Sequence, residues 1–480
     1  MGANMKYSIY KKILVLILGI FLILVTIVPT FNAKILNGTK FEISLLKDNE
    51  NSDSEYDLLI IAPKKFCSIL RPLVFHKNLI GVKTKLVSLS QIYLSKVDQG
   101  RDNAEKIKYF IKDYIENFGI EYVLLVGGMK HQGPSWHLPV RYVSMDDGWE
   151  SHYVSDLYYA DIYDKNDKFS SWDSDEDGIF GEWFSDEAED KNIDLYPDIA
   201  IGRLPARNIF EVIVMVKKII MYERTAYDKS WFNDMVVIAG DTYPEHQNAN
   251  WTGYEGEYYA DLALENMSDF NQIKLYTSDQ TLTGPDDVIK TISKGCGFLY
   301  FVGHGNPMTW GNHPPDNESF ITGLSVNHMP RLFNGNKLPI CVVSGCHNCQ
   351  FDVTILKIFD SHARIWGEAT PEGWGWWITR KIGGGSIATI GCTALGYTKE
   401  DKDSFEGGLN WIEVEFFKEY GQNNIDIIGD TWKAAVNSYL DTFPQIDWDS
   451  PTGSDSFIDT KVVQSWILFG DPSLKIGGYE

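Results

Sequence analysis

Cysteine is scarce in this sequence, and basic residues are outnumbered by acidic ones. Six cysteines in 480 residues do not make the framework of a disulfide-stabilised protein. The 43 lysines and arginines against 66 aspartates and glutamates leave a net charge of −23, which argues against a nucleic-acid partner because such a partner requires a basic surface. The chain also lacks an internal repeat of solenoid period. Its length and its apolar content instead predict a globular protein with a large buried core.

One long apolar run stands near the start, at residues 13–28, and it follows Lys6, Lys11 and Lys12. A positive segment followed by an apolar run is typical of a secretory signal or a membrane anchor, and no clean cleavage site follows. We therefore expect a signal peptide or anchor at 1–33, with membrane attachment through 13–31. A polar leader or short pro-segment follows at 34–54. The body is then extracellular, or membrane-anchored with its catalytic part outside the cytoplasm.

Buried strands alternate with helices twice along the chain, which predicts an α/β fold on parallel sheets. The first series has strands at 56–63, 83–89 and 121–128 and a helix at 103–119. An acidic, irregular stretch and a helix at 209–224 follow. The second series has a helix at 254–267 and strands at 234–240, 297–303, 338–345 and 384–391. We expect an N-terminal α/β subdomain with an acidic insertion at 55–228 and a catalytic subdomain at 229–480.

Three strands of the second series end in residues suited to catalysis, namely Asp241, His304 and Cys346. Ligands bind beyond the carboxyl ends of parallel strands, so these side chains are expected at one edge of the sheet. A free thiol with a pKa of about 8.5 is mostly protonated at neutral pH, and a nearby imidazolium favours the thiolate. A carboxylate behind the imidazole would orient the ring. The N–H groups of Gly305 and Cys346 would form an oxyanion hole.

The same cysteines allow other interpretations. Cys346 and Cys349 form a CxxC motif, but a redox CxxC normally opens a helix of a thioredoxin-like unit, which the pattern does not predict here. A zinc site built from Cys346, His347 and Cys349 lacks an obvious second pair of ligands. Cys341 stands inside an apolar strand and is expected in the core, and His347 is expected in a loop beside the site.

Scattered blocks of the chain resemble the gingipain-type cysteine peptidases, and they run from about residue 56 to 476. These blocks are SDLYYADIY, PDIAIGRLPAR, YFVGHGNPMTWG, LPICVVSGCHNCQFD, GSIATIG and LFGDPSLKI. The resemblance implies a caspase-like parallel sheet flanked by helices and preceded by a smaller α/β subdomain. It implies that His304 and Cys346 are the catalytic pair, because Cys346 stands four residues before Gln350-Phe351, as the family pattern requires. The family's supporting carboxylate matches Asp241, at a strand end one residue shorter here.

The resemblance also bears on substrate selection. In lysine-specific members an acid lies at the floor of the pocket for the P1 side chain, and the same spacing reaches Asp401, with Glu400 adjacent. A carboxylate in a pocket selects a cationic partner, here Lys or Arg. Thr398 stands where those members carry a tryptophan, so the choice between Lys and Arg stays open. Arginine-specific members use an acid that follows the supporting carboxylate, and the nearest residues here are Glu255 and Glu257.

The acidic insertion contains WDSDEDGIFGEW, residues 172–183. Asp173, Asp175, Asp177 and the glycine that follows match positions 1, 3, 5 and 6 of an EF-hand-like loop, which predicts a calcium site. Position 12 is Phe184 rather than glutamate, and Glu182, Asp186 or Glu187 is expected to substitute for it as ligand. Structural calcium is also a property of the family that the chain resembles.

These features together predict an extracytoplasmic cysteine endopeptidase that acts on protein or peptide substrates through a thioester, without an organic cofactor. A preference for Lys or Arg at P1 is expected. Two other functions stay open at this point. One is a non-catalytic adhesin or inactive homologue on the same fold, and the other is a thiol oxidoreductase that uses Cys346 and Cys349.

Overall fold

The structure is a computed structural model, and it describes residues 55–184, 187–244, 254–398, 407–443 and 454–480. The expected signal or anchor at 1–33 and the leader at 34–54 lie outside the described residues. No helix in the described part of the chain is long and apolar enough to cross a membrane.

The strands follow each other along the chain with short connections or helices between them. In chain order they are β1 (Leu58–Ala62), β2 (Thr84–Ser88), β3 (Tyr122–Val126), β4 (Tyr142–Val143), β5 (Tyr153–Val154), β6 (Trp183–Phe184), β7 (Glu187–Ala188), β8 (Ala200–Leu204), β9 (Asp234–Ala239), β10 (Asn271–Tyr276), β11 (Phe298–Val302), β12 (His304–Gly305), β13 (Thr309–Asn312), β14 (Ile321–Ser325), β15 (Ile340–Ser344), β16 (Ala388–Cys392) and β17 (Trp466–Phe469).

Helices cover the main sheet. In chain order they are α1 (Lys64–Leu79), α2 (Leu89–Ser95), α3 (Asn103–Phe118), α4 (Ile209–Thr225), α5 (Glu255–Asn266), α6 (Pro285–Ile292), α7 (Ser361–Ile365), α8 (Trp374–Arg380), α9 (Leu409–Gly421), α10 (Ile428–Thr442) and α11 (Ser454–Ser465).

Ten of these strands form one sheet in the order β10-β9-β11-β15-β16-β17-β8-β3-β1-β2. All neighbours run parallel except β16 and β17, which are antiparallel. The sheet therefore has two parallel halves of opposite direction, and the C-terminal strand β17 joins them. The central strands β1, β3, β11 and β15 are buried along their whole length, as expected for strands covered on both faces.

The α/β prediction with a largely parallel sheet flanked by helices is confirmed. The predicted helices at 103–119 and 209–224 are α3 and α4, and α3 ends where Gly119 adopts a left-handed φ of 65°. Because β17 belongs to the second predicted subdomain but pairs with β8 of the first, the division at residues 228 and 229 stays a prediction.

Two strand predictions shift at their ends for local reasons. The strand predicted at 83–89 ends at Ser88, because Ser88 caps α2 by a reciprocal capping box with Gln91. The strand predicted at 384–391 begins only at Ala388, since Asn334 binds the main chain of Gly385 and holds it in a turn. The small antiparallel sheet β12-β13-β14, which carries His304, was not predicted.

Candidate active site

The register of the sheet brings His304 and Cys346 together. Val302, the last residue of β11, pairs with Ser344, the last residue of β15. His304 and Cys346 each stand two residues beyond this pair, on strands about 4.8 Å apart. Both residues line one cavity of about 30 Å³, which Tyr243, Glu255 and Thr398 also line. His304 and Cys346 therefore border the same cavity, and their role as a catalytic pair stays a prediction.

Two glycines allow the strand ends to meet so closely. A Cβ on Gly345 would lie 3.1 Å from both the Cα and the N atom of Gly305. The side chain of Asn348 fills the space beside them, and a Cβ on either glycine would lie within 2.3 Å of its Oδ1 atom. Asn348 Nδ2 donates to the carbonyls of Asn306 (2.8 Å) and Thr309 (3.2 Å). This buried amide, which sequence reasoning missed, thus ties the Cys346 turn to the loop after His304.

A main-chain carbonyl orients the His304 ring. The Nε2 atom lies 2.7 Å from the carbonyl oxygen of Thr242. Since a carbonyl can only accept a hydrogen bond, Nε2 carries a proton and Nδ1 is the basic atom of the neutral ring. The ring of Tyr243 stands edge-on to that of His304 at a centroid distance of 5.8 Å. No sequence signal marks the Thr242 carbonyl, because every residue has one.

Asp241, which precedes Thr242 in the chain, is buried and pairs with another acid. One of its carboxylate oxygens accepts the N–H of Asp316 at 2.8 Å, and the carboxyl groups of Asp241 and Glu255 share a hydrogen bond. Burial, and then the Asp241 charge, raise the pKa of Glu255 to about 7. The role of Asp241 as the carboxylate that orients His304 stays a prediction; the ring nitrogen Nε2 contacts the main-chain carbonyl of the neighbouring residue Thr242.

The Cys346 sulfur is half-buried and contacts the main chain of Gly396. The Gly396 N–H donates to Sγ at 3.4 Å, and Sγ lies 3.7 Å from the Gly396 carbonyl. Burial raises the pKa of the Cys346 thiol, while the Gly396 backbone opposes that rise. The next residue, His347, has a φ of 58°, and its N–H donates to the Ala394 carbonyl. The turn that carries Cys346 is thus fastened to the segment that follows β16.

The other cysteines of this region lie in the core. Cys341 and Cys349 are completely buried, and each of the six cysteines carries a free thiol. The Cys349 sulfur packs so closely on two glycines that a Cβ on Gly375 would lie 2.5 Å away and one on Gly391 2.9 Å away. Cys346 lines the cavity instead. The two cysteines of the CxxC motif therefore lie in different environments, Cys346 at the cavity and Cys349 in the core.

Only some of the residues expected to select the P1 side chain lie in the described part of the chain. Asp401 and Glu400 lie outside the described residues. Thr398 lines the cavity, and its hydroxyl lies 2.8 Å from that of Tyr243. Of the two weaker candidates, Glu255 lines the cavity, whereas Glu257 accepts hydrogen bonds from the hydroxyl and the N–H of Ser278.

The acidic loop has the geometry of a cation site. One carboxylate oxygen each of Asp173, Asp175 and Asp177 lies within 4.8 Å of the others. The Asp173 Oδ2 atom pairs with Arg101 at 2.7 Å, and its Oδ1 atom is buried without a hydrogen-bond partner among the described residues. Burial and the surrounding carboxylates, first among them Glu189, raise the pKa of Glu182 to about 7. An oxygen-rich cluster in which Arg101 pairs with only one of the three aspartates fits calcium.

Comparisons with known proteins give matches over most of the chain. The model of the family described as peptidase family C25 matches residues 51–477. Gingipain R2 of Porphyromonas gingivalis is 22% identical over 424 residues, which are 87% of this chain and 46% of that protein. Lys-gingipain HG66 of Porphyromonas gingivalis is 24% identical over 307 residues, 62% of this chain and 14% of that protein. The chain thus spans less than half the length of these curated relatives.

A solved structure shares the fold. The crystal structure of the Arg-specific cysteine proteinase gingipain R matches with a TM-score of 0.58 and 19% sequence identity, over 89% of this chain and 79% of that one. At this identity the match establishes the fold, which is caspase-like as expected.

Proposed function

Because the chain belongs to peptidase family C25, we propose that it is a cysteine endopeptidase in which Cys346 is the nucleophile and His304 the general acid and base. The observation that carries this proposal is the cavity shared by the two side chains at the carboxyl ends of β11 and β15. Family membership supports the reaction class, and the geometry supports the choice of these two residues.

The reaction follows from these groups. The Cys346 sulfur, as thiolate, attacks the scissile carbonyl, and the N–H groups of Gly305 and Cys346 stabilise the oxyanion. The imidazolium of His304 protonates the leaving amine, so the C–N bond breaks and a thioester remains. Neutral His304 then takes a proton from water, whose oxygen attacks the thioester, and the thiolate leaves. Throughout these steps the Thr242 carbonyl holds the ring by Nε2.

A basic P1 residue is the proposed substrate. Glu255 is a buried carboxyl group beside the Cys346–His304 cavity, and it has a hydrogen bond to a second acid, Asp241. A cationic side chain that reaches this pair would stabilise both carboxylates in their ionised state. Asp401 and Glu400 remain proposed as further acids of the same pocket. The names of the relatives support this choice, since one is Arg-specific and another is a Lys-gingipain.

Calcium is proposed at the acidic loop. The proposed ligands are the Oδ1 atom of Asp173 and the carboxylates of Asp175, Asp177 and Glu182. Arg101 would stay paired with the Oδ2 atom of Asp173. The ion would neutralise the charges that keep these carboxylates apart and thereby stabilise the loop.

A location outside the cytoplasm is also proposed, on the positive segment and apolar run at residues 6–28. N-terminal sequencing of the protein from medium and from membranes tests it. A mature N-terminus near residue 34 indicates a cleaved signal, an intact start in the membrane fraction indicates an anchor, and an intact start in the cytosol contradicts the proposal.

The proposed function is tested by covalent labelling with a peptidyl-lysine acyloxymethyl ketone, followed by mass spectrometry. We expect an adduct on Cys346 alone, lost in His304→Ala, together with cleavage after Lys or Arg in a peptide library. Absence of both labelling and cleavage in the folded protein indicates a binding protein instead. A reducible bridge between Cys346 and Cys349 indicates a thiol oxidoreductase.

A further inference from the structure

A buried lysine stands behind the nucleophile turn. The side chain of Lys461, on α11, is completely inaccessible to solvent. Its ammonium group lies 2.6 Å from Glu150 and is also bound to Asp147. These two acids belong to the connection between β4 and β5, in the first half of the chain. Burial alone would raise the pKa of Asp147, but the Lys461 ammonium and hydrogen bonds from Glu150 N–H and Tyr397 lower it. The Lys461 ammonium thus helps to keep Asp147 ionised despite the burial of its carboxyl group.

Each of the two acids holds one neighbour of Gly396. Glu150 Oε1 accepts the N–H of Leu395 at 2.9 Å. Asp147 Oδ2 accepts the hydroxyl of Tyr397 at 2.7 Å. A single buried ammonium thus fixes the residues on both sides of Gly396.

Gly396 is the residue that contacts the reactive sulfur. Its N–H points to Cys346 Sγ at 3.4 Å. When the thiol ionises, it loses the hydrogen bond that its S–H donates to the Gly396 carbonyl. The hydrogen bond from the Gly396 N–H to the sulfur then becomes charge-assisted, and charge-assisted hydrogen bonds are the stronger kind. We propose that Lys461, through Asp147 and Glu150, positions the Gly396 amide so that its N–H stabilises the Cys346 thiolate, as a second device beside His304.

The electrostatics of the cluster agree with this geometry. Burial raises the pKa of the Cys346 thiol, the Gly396 backbone lowers it, Glu150 raises it and Lys461 lowers it. The charged or titratable groups that face the sulfur, or line its cavity, are His304, Glu255, Tyr243, Tyr259, Glu150, Lys461, Tyr397 and Cys392. His347 contacts Glu150 from the same turn at 3.4 Å. Lys461 is therefore a positioning residue that acts through Gly396, and it has no contact with substrate in this arrangement.

This inference rests on the proposed function, in which Cys346 is the nucleophile. The two are nevertheless separable, because thiolate formation at Cys346 is measurable without any peptidase activity. If the protein cleaves no peptide but its variants still shift the ionisation of Cys346 as expected, only the proposed function fails. If the protein is a peptidase and the ionisation does not shift, only this inference fails.

The experiment measures the rate of iodoacetamide alkylation at Cys346 against pH, by mass spectrometry of the peptide that contains it. Lys461→Met removes the buried cation, and Tyr397→Phe removes a single hydrogen bond. Both should move the midpoint of the profile to higher pH, Lys461→Met by about one unit, which lowers the rate at neutral pH about tenfold. Glu150→Gln keeps an oxygen for the Leu395 N–H but loses the negative charge, and its midpoint should move to lower pH.

Matched controls exist elsewhere in the chain. Tyr227→Phe removes an exposed tyrosine–carboxylate hydrogen bond to Glu480, and Lys83→Met removes an exposed lysine near Glu55. Neither should move the midpoint. Unchanged midpoints in folded Lys461→Met and Tyr397→Phe overturn the inference, as does a shift of all three test variants in the same direction, which would indicate general loosening. If Lys461→Met does not fold, Tyr397→Phe with Glu150→Gln decides.

Discussion

Main-chain atoms hold both reactive side chains of the proposed active site. The Thr242 carbonyl accepts from His304, and the Gly396 N–H donates to Cys346. A substitution at residue 242 or 396 changes the side chain but keeps the main-chain carbonyl or N–H group that makes the contact. These contacts therefore depend on the path of the backbone and not on the side chains of the two residues. Side-chain variants therefore test the site best where the side chain itself reaches the cavity, as at Glu255.

Replacing Glu255 by glutamine should weaken the binding of basic substrates. The buried carboxyl group would lose its charge and keep its shape, so a cationic P1 side chain loses an ionic partner. We expect KM for a Lys or Arg substrate to rise at least about tenfold, or about 1.4 kcal/mol, with a smaller change in kcat. The matched control is Glu257→Gln, whose carboxylate is held by Ser278. Equal kinetics for the Glu255 variant and the wild type would assign the pocket to other acids, such as Asp401.

The same carboxyl group predicts a pH dependence. Burial and the Asp241 charge raise the pKa of Glu255 to about 7, so the wild type has a partly protonated carboxyl pair at neutral pH. Only the ionised form attracts a cation fully, and KM for a basic substrate should therefore fall as pH rises through 7. In Glu255→Gln this change should be absent from the pH profile of KM. A profile of the same shape in both proteins would show that another group titrates.

The ends of β11 and β15 meet through glycine, and this contact has a direct test. Gly345→Ala would place a methyl group 3.1 Å from the Gly305 backbone and 2.3 Å from Asn348 Oδ1, so the His304 loop must move away from Cys346. We expect kcat to fall by about 100-fold, since displacement of a reacting group by about 1 Å has an effect of this size. Gly284→Ala is the control, because a Cβ there meets nothing within 4 Å. A variant that retains full activity would show that the two strand ends tolerate separation.

The loop at residues 173–182 gives a prediction for metal removal. Calcium should bind in calorimetric titration and raise Tm, and chelation should lower Tm, because the ion relieves repulsion among Asp173, Asp175 and Asp177. Asp175→Ala should abolish both effects. The control is Asp279→Ala, an exposed acid whose carboxylate binds Thr281 within its own turn. If calcium produces no heat of binding and no change in Tm, the loop is an acidic segment that binds no calcium.

Joining the two halves of the sheet depends on the C-terminal strand. β17 is antiparallel to β16 and parallel to β8, so it closes the gap between strands that run in opposite directions. Just after β17, Asp471 meets Lys77 of α1 at 3.0 Å, and Lys77 also binds Glu223 of α4 at 2.6 Å. These three charged side chains are completely buried or nearly so. They link the end of the chain to two helices of its first half.

Lys77→Met should destabilise the whole molecule, because it leaves two carboxylates buried without their cation. Breaking a buried ion pair in this way lowers the free energy of unfolding by about 3–5 kcal/mol. Lys83→Met, which removes an exposed pair with Glu55 at 3.7 Å, should change it by about 1 kcal/mol or less. Urea unfolding followed by circular dichroism measures both. Equal stability of the two variants would mean that the buried cluster contributes nothing to joining the halves.

Local patterns in the sequence were sufficient to predict the strands that end at the proposed active site. The apolar runs before His304 and Cys346 are long enough to identify buried parallel strands, and a strand end places the next residues at the edge of the sheet. The strand before Asp241 followed the same rule. The EF-hand-like spacing of Asp173, Asp175 and Asp177 depends on neighbouring residues only, and the structure brings their oxygens together as expected.

Only the tertiary structure decided what lies around these residues. Lys461 and Asp147 are 314 positions apart, and Glu150 and Leu395 are 245 apart, so no local pattern relates them. Their contact requires α11 and the segment after β16 to meet the connection between β4 and β5, and this follows from where β17 enters the sheet. The hydrophobic periodicity of the sequence indicates which residues are buried. The order of the strands in the sheet decides which side chain or main-chain atom a buried charge contacts. That order is a property of the folded chain, because long-range pairing depends on the packing of all its elements at once.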